Sequence, residues 1–589
     1  MNDSWDIQTR TLRCSVFLIW LLCAAVMIYI VRHPIGVTFF DPDDALRLVE
    51  VRDWMAGQSW FDVTQYRSHP PAGASMHWSR LVDIPIAGLL ALALLVTDQV
   101  AAEQISLVAV PLLSLLVLYI GLVATTVRAT GRRYAGVIAA LMLMTALGAL
   151  IQFRPTRIDH HGWQIALGTL AVLALIGFDG KPIKRGVVSG ATMAVALVIA
   201  IEGLPLAVAI GAVFGLCALR REDENSGLAA YLAALSGIGS VLLLATLGWS
   251  RVSVLWCDAL SPAYLAPLWT TTIVLVLAQW ISPQGSIAWR FGAMVVAAAS
   301  GSAVYLTFSR ACLGGPFASL DPLLYRLWYV NIAEGMPVWT QSLSLGVTVS
   351  IPSLLGLGGT LLAIRYDNSS RRECWITLLF VQVVTFAVSL MVLRAIGIAH
   401  VLAIPGSVWL FLFAIERAMR LSSPWRIFVA VACVALTPIG AQLIASSLLP
   451  SAQPTNGSGS GASSCRDLET LQRLDALPTT LLFAPLDVSS YLLAFTHHSV
   501  VATGHHRNQA GMKTIISAFI APADQARAIV MATSAQYLAF CKREGETRVY
   551  AKPYPHSLMS DLLADHPPTW LRAVPSQSNE RISVYRIER

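Results

Sequence analysis

The strongest constraint in this sequence is a succession of about a dozen apolar blocks, each long enough to cross a hydrocarbon layer about 30 Å thick and separated by short polar punctuation. Of the 589 residues, 56% are hydrophobic and only 13% charged, which excludes a polar-coated globule of that length. Repeated spanning blocks also exclude a soluble domain on a single anchor. The formal charge of +7 does not point to nucleic acid, because most of the excess Lys and Arg falls in short loops between apolar blocks, where it sets topology.

The first apolar block, about 14–31, follows Arg10 and Arg13 and has no small-residue cleavage site, so it reads as a retained helix with a cytoplasmic N-terminus. The run Ile84 to Thr97 would reach only about 21 Å as a helix and reads as a partial or re-entrant helix on the outer side. Spans follow at about 104–127, 134–152, 163–178, 186–201, 204–219, 227–249, 263–281, 291–307, 343–364, 374–392, 397–415 and 427–449, thirteen in all with an external C-terminus. Charge supports this parity. Seventeen Lys and Arg fall in the expected inside segments against six in the short outside loops, and making the 84–97 helix a full span would invert the bias.

The expected organisation is therefore an α-helical polytopic domain over 1–450 with outer loops at 32–83, 153–162 and 308–342, a Gly/Ser-rich linker at 451–464, and a small α/β domain at 465–589. In the tail, TTLLFAP, VSSYLLAF and HSVVAT read as strand, helix and strand. Cys257, Cys312, Cys465 and Cys541 fall outside, and the expected disulfides are Cys257 with Cys312 and Cys465 with Cys541.

Acidic and imidazole groups concentrate at the outer face. Asp41, Asp43 and Asp44 follow the first span, and Asp159, His160 and His161 lie between the third and fourth. Carboxylates with an imidazole suit Mg²⁺ or Mn²⁺, and an extended loop would aim Asp159 and His161 the same way. Any one of the first three could instead cap a helix opening at Ala45. Glu334 stands in the long loop at 308–342, Arg394 at the boundary after the eleventh span, and Glu202 in a short turn that reads as solvated. Arg394 could grip a phosphate or snorkel to headgroups. His497, His498, His505 and His506 match no metal-ligand spacing and read as surface or interdomain residues.

At these motifs the chain resembles the catalytic subunit of bacterial and archaeal oligosaccharyltransferases, membrane glycosyltransferases of the GT-C type. DDALRLVEVRDWMAG resembles the family's first outer loop, in the register that selects Asp43 nine residues before Arg52. DHH at 159–161 is similar to the second acidic motif in its Asp-x-His form, EGMPVW from Glu334 to the external-loop glutamate motif, and Arg394 to the arginine near the donor phosphate. The family's acceptor motif Trp-Trp-Asp-Tyr-Gly is absent, and Ala395 and Ile398 stand where aromatic residues follow the arginine.

The resemblance implies a metal-dependent glycosyltransferase that moves a sugar or oligosaccharide from a polyprenyl-phosphate or diphosphate donor to an unspecified acceptor. It places the enzyme in the bacterial inner membrane with its tail periplasmic. Asp43, Asp159 and His161 would hold Mg or Mn, with Asp41, Asp44, His160 and Glu202 as secondary candidates. Arg394 would bind donor phosphate, and Asp43 and Glu334 would be catalytic. The alternative is a transporter or flippase of lipid-linked glycans, which would favour internal repeats and charges at mid-membrane.

Overall fold

The computed structural model describes residues 2–177, 180–282, 285–449 and 465–589; the linker expected at 451–464 lies outside them. Among the described residues, ten helices are long and apolar enough to cross a membrane. Two further pairs of apolar helices are long enough only when taken together and are bent, Arg133–Leu143 with Leu147–Phe153 by 69° and Trp425–Leu436 with Pro438–Leu448 by 86°, and the apolar helix His161–Ile176 has 16 residues. The protein is thus an α-helical polytopic membrane protein with a small C-terminal sheet domain.

Local chemistry sets the helix boundaries. Asp98 caps Gln99–Thr130 by accepting from the Ala101 N–H, and Gly131 ends that helix in the left-handed region at φ 68°. Prolines occupy the first turn of Pro182–Ile199 and Pro262–Ile281, where no intrahelical donor is lost.

Ion pairs sort the connecting loops onto two faces. Arg132 pairs with Glu416, Arg185 with Glu224, and Arg221 with Glu373; Arg157 pairs with Asp41, Arg394 with Glu202, and His506 with Asp258. Among the described residues, no pair joins the two sets. The helix His161–Ile176 runs between the faces, because Glu202 neighbours His161 at one end while the Ile176 carbonyl accepts from Arg128 at the other. With each bent pair taken as one passage and this helix included, the chain passes between the faces thirteen times.

The short helix is Arg80–Ala93, 14 residues with Pro85 inside, rather than 84–97. Arg52, before it, and Glu103, after it, form a salt bridge of 2.7 Å, so the chain enters and leaves this segment on one face.

Residues 465–589 fold as a mixed five-stranded sheet of β3 (Leu481–Phe483), β4 (Ser499–Val500), β5 (Tyr537–Cys541), β6 (Leu571–Ala573) and β7 (Ile582–Ile587), in the order β4-β3-β5-β7-β6. Strands β4 and β5 flank β3 in parallel, and β7 runs antiparallel to β5 and β6. The helix Leu486–Phe495 lies between β3 and β4 in sequence, in the strand, helix, strand order expected. Edge strand β4 is covered from the membrane domain: the Val500 N–H donates to the Arg67 carbonyl at 2.8 Å and the His69 N–H donates back to Val500 at 3.0 Å. This loop follows the ribbon strand β1 (Thr64–Gln65) and precedes its partner β2 (Ala74–Ser75). Disulfides join Cys257 to Cys312 and Cys465 to Cys541.

Candidate active site

The site begins with a helix cap. Asp41 is the N-cap of Pro42–Met55, its Oδ1 accepting from the Asp43 N–H at 3.0 Å with Pro42 at the first helical position. The helix therefore opens three residues before Ala45, and Asp43 and Asp44 stand within its first turn. Asp41 does more than cap: its Oδ2 lies 3.0 Å from Arg157. Asp44 is fully buried, accepts the backbone N–H of Asp159 at 3.0 Å, and pairs with the same Arg157 at 3.3 Å. The two outer loops are thus fastened to each other by one aspartate and one arginine.

Asp159 stands at the centre. Its Oδ1 receives Arg47 Nη2 at 3.3 Å and His160 Nδ1 at 2.6 Å; its Oδ2 is buried, accepts no hydrogen bond, and has His161 Nε2 3.5 Å away. Donor atoms of Asp159, His160 and His161 all lie within 4.8 Å of one another. The loop is not extended here: His160 has helical angles and His161 begins the next helix, which brings all three side chains together. Burial opposes ionisation of Asp159, yet His160 and its neighbours hold the carboxyl well below its usual range. Burial likewise opposes the charged form of His160, but Asp159 and Glu202 push it up to about 9.

Beside this group lies a chain of charges from three loops. Glu202 Oε1 is 2.5 Å from Arg394, and its Oε2 is 3.8 Å from His160 and 3.7 Å from His161. Glu202 is therefore part of the cluster rather than a solvated turn. Arg394 turns its other nitrogen to Glu334 at 3.0 Å, and Glu334 approaches Arg157 at 3.9 Å. Burial raises the Glu334 pKa, partly offset by Arg394 and further raised by Asp41. Arg394 is thus bound between two glutamates, a geometry that a phosphate would have to share.

Asp43 sits slightly apart. Its Oδ1 lies 3.3 Å from His505 Nε2, and its carboxyl is close enough to Asp159 to feel that charge. His505 comes from the C-terminal domain, with Nδ1 3.0 Å from Thr503 Oγ1 and its ring edge-on to Trp78 at 4.9 Å. So the tail completes the site. His506 also crosses between domains, but His498 is buried inside its own, contacting the Leu474 carbonyl at 2.7 Å.

Arg157 and Arg47 are site neighbours beyond those expected, and His505, expected at the surface or between domains, is interdomain and reaches Asp43. Arg157 stood in the same RPTRIDHHGW segment as the selected triplet, and counting it only as a topology charge hid its role. Arg47 lies three residues beyond Asp44 on one helical face, pairs with Asp83 at 3.0 Å, and stacks 4.4 Å from Trp78. No signal in the sequence linked His505 to Asp43.

No family model matches the sequence, and no curated protein is detectably similar to it. Among solved structures, the chain is similar to the archaeal oligosaccharyltransferase AglB from Archaeoglobus fulgidus in complex with an inhibitory peptide and a dolichol-phosphate, at TM-score 0.68 and 13% identity over 98% of this chain and 74% of that one. The same enzyme tethered to an acceptor peptide containing the NVT sequon matches at TM-score 0.67 and 13% identity, again over 98% and 74%. Its complex with Zn and sulfate matches at TM-score 0.62 and 12% identity over 91% and 70%. The chain therefore shares the fold of this archaeal oligosaccharyltransferase.

Proposed function

We propose that this protein is a glycosyltransferase that takes a sugar or oligosaccharide from a polyprenyl-phosphate or diphosphate at the periplasmic face of the bacterial inner membrane. The observation that carries the reading is the meeting of Asp43, Asp159, His161, Glu334 and Arg394, from four separate loop or helix ends, at the face that bears the C-terminal domain. A lipid-linked donor can keep its tail among the spans while its phosphate reaches this rim, and departure of that phosphate requires positive charge there.

A divalent cation fits the donors present. The unpartnered Asp159 Oδ2 beside the His161 imidazole is an incomplete pair of ligands, and Asp43 and His160 stand ready to extend it. One carboxylate with imidazoles suits Mn²⁺ or Zn²⁺; addition of Asp43 favours Mg²⁺ or Mn²⁺. When bound, such an ion would neutralise charge developing on the leaving phosphate. The chain's own residues do the rest. Arg47 and the Asp44-to-backbone bond hold Asp159 in place, Arg157 and Arg394 offer guanidinium charge, and Glu334 positions or deprotonates the acceptor. His505, backed by Thr503, brings the C-terminal domain to Asp43. The acceptor is a lipid, a glycan or a protein hydroxyl.

The test is discharge of a radiolabelled polyprenyl-linked sugar by membranes containing the protein, with the product identified. Transfer that is lost in Asp159→Ala supports the reading. Absence of discharge of both mono- and diphosphate-linked donors by the wild type, with all endogenous acceptors present, overturns it.

A further inference from the structure

His505 and His506 are consecutive in sequence but serve different neighbours. His505 turns to Asp43, whereas His506 Nε2 lies 2.7 Å from Asp258 Oδ2, and its ring centroid is 4.7 Å from that of His77. Donor atoms of His77, Asp258 and His506 all fall within 4.8 Å of one another. The three come from distant parts of the chain: the loop ahead of the short helix, the segment after the disulfide-bonded Cys257, and the C-terminal domain. Two imidazoles and a carboxylate are the donor set of an open site for a borderline transition-metal ion, with water completing the shell.

The surroundings hold this set in register. Arg507 grips Asp258 through Nε to Oδ2 at 2.8 Å and Nη2 to Oδ1 at 3.0 Å, donates to the Met76 carbonyl at 2.9 Å, and stacks 3.8 Å from the Trp256 ring. A carboxylate oxygen has two lone pairs: both on Asp258 Oδ2 face donors, Arg507 Nε and His506 Nε2, while Oδ1 keeps one beyond Arg507 Nη2, so an ion enters at Oδ1 or takes the place of the proton between His506 and Oδ2, and a hydrogen-bonded carboxylate is the usual state of a metal ligand. Phe317 stands edge-on to His506 at 5.0 Å and limits rotation of its ring.

We propose that His77, Asp258 and His506 bind a second divalent ion of the zinc class, separate from the Asp159 cluster. Its function is to staple the C-terminal domain to the outer loops. Fixing His506 fixes the backbone of His505, the residue through which the tail reaches Asp43.

The full-length protein in detergent, stripped with a chelator and desalted, is titrated with Co²⁺ and separately loaded with Zn²⁺ for metal analysis. The Asp159→Ala protein is expected to retain one bound ion per chain and a visible d–d spectrum from Co²⁺. Adding His77→Ala or His506→Gln to it should abolish both. Absence of Co²⁺ binding by Asp159→Ala, or a metal content unchanged by His77→Ala, overturns the proposal and leaves a metal-free interdomain ion pair. One ion in the wild type that His77→Ala removes and Asp159→Ala does not would sink the metal at the active cluster while supporting this one.

Discussion

Glu334 and Asp159 make opposite demands on a substitution. Glu334 bridges Arg394 at 3.0 Å and Arg157 at 3.9 Å and stands off the Asp159 group, so Glu334→Gln keeps shape while removing a charge and a base. It should retain binding of the polyprenyl-linked donor and lose about 10²-fold or more in turnover. Asp159→Ala removes the oxygen shared by Arg47 and His160, and turnover should vanish, with excess Mn²⁺ or Mg²⁺ restoring part of it at most. Measuring donor binding and transfer separately tests both, and near-normal transfer by Glu334→Gln would remove the acceptor role from this glutamate. A second residue-scale prediction concerns Glu50, buried beneath the site with neither carboxylate oxygen hydrogen-bonded. Burial and the nearby Asp83 push its pKa up to about 8 from an ordinary 4.5. A raised carboxyl pKa favours the protonated form in the fold, so this contribution is complete below the ordinary value and is lost as pH climbs towards 8. Glu50→Gln should therefore leave the thermal midpoint near pH 5 almost unchanged and raise it at pH 9, by on the order of 1–3 kcal/mol in stability. Equal effects at both pH values would contradict the assignment. Residue types alone pointed to Asp43, Asp159, His161, Glu334 and Arg394, and the structure brings them to one face, with Asp43 slightly apart beside His505. Their pairing was not legible, since Arg394 is engaged by Glu334 sixty positions before it and by Glu202 192 positions before it, and nothing in local spacing records such contacts.

At the scale of elements, the helix that follows Arg394 owes its position to glycine, Arg394 itself lying in the short turn Leu393–Ala395 at its start. Helices Leu343–Tyr366 and Ile396–Ala418 approach so closely that a Cβ on Gly359 would lie 2.0 Å from the Gly406 carbonyl oxygen, and one on Gly406 would lie 2.1 Å from that of Gly356. In a membrane, where the surrounding lipid is as apolar as any side chain, close backbone contact of this kind supplies much of the attraction between helices. Gly359→Leu should separate the pair, lower the thermal midpoint in detergent and reduce activity by displacing Arg394 from Glu202. Retention of the wild-type midpoint would show that the two helices can slide apart without cost. The spans were legible as elements because hydrophobic length alone marks them. Their bends were not read: the 86° bend falls where the Thr437 cap and Pro438 open a new helix, and the 69° bend falls at Met144–Ala146, where no proline marks it. The register of the first outer helix also escaped, because Pro42 and the Asp41 cap, rather than the apolar pattern, set its start.

For the whole molecule, the sorting of ion pairs onto two faces makes the topology testable. Ser370 is an exposed residue on the face of Arg132 and Glu416, and Gln525 is exposed on the C-terminal domain. In a background with the free cysteines Cys14, Cys23, Cys217, Cys374 and Cys433 replaced, Ser370→Cys should resist an impermeant thiol reagent in intact cells while Gln525→Cys reacts. Equal reaction of both would refute an odd number of crossings. That the chain is a multi-span membrane protein, how its loops alternate, and which loops hold acidic and imidazole groups were all determined by the sequence alone, because desolvation cost and the Lys and Arg bias act on composition and local order. Only the tertiary structure decided that Asp43 meets His505 and that Arg157 joins Asp41, Asp44 and Glu334. Those contacts join segments from over a hundred to several hundred residues apart, and they exist only when helix packing and the docking of the C-terminal sheet against Arg67 to His69 bring separate loop ends to one point.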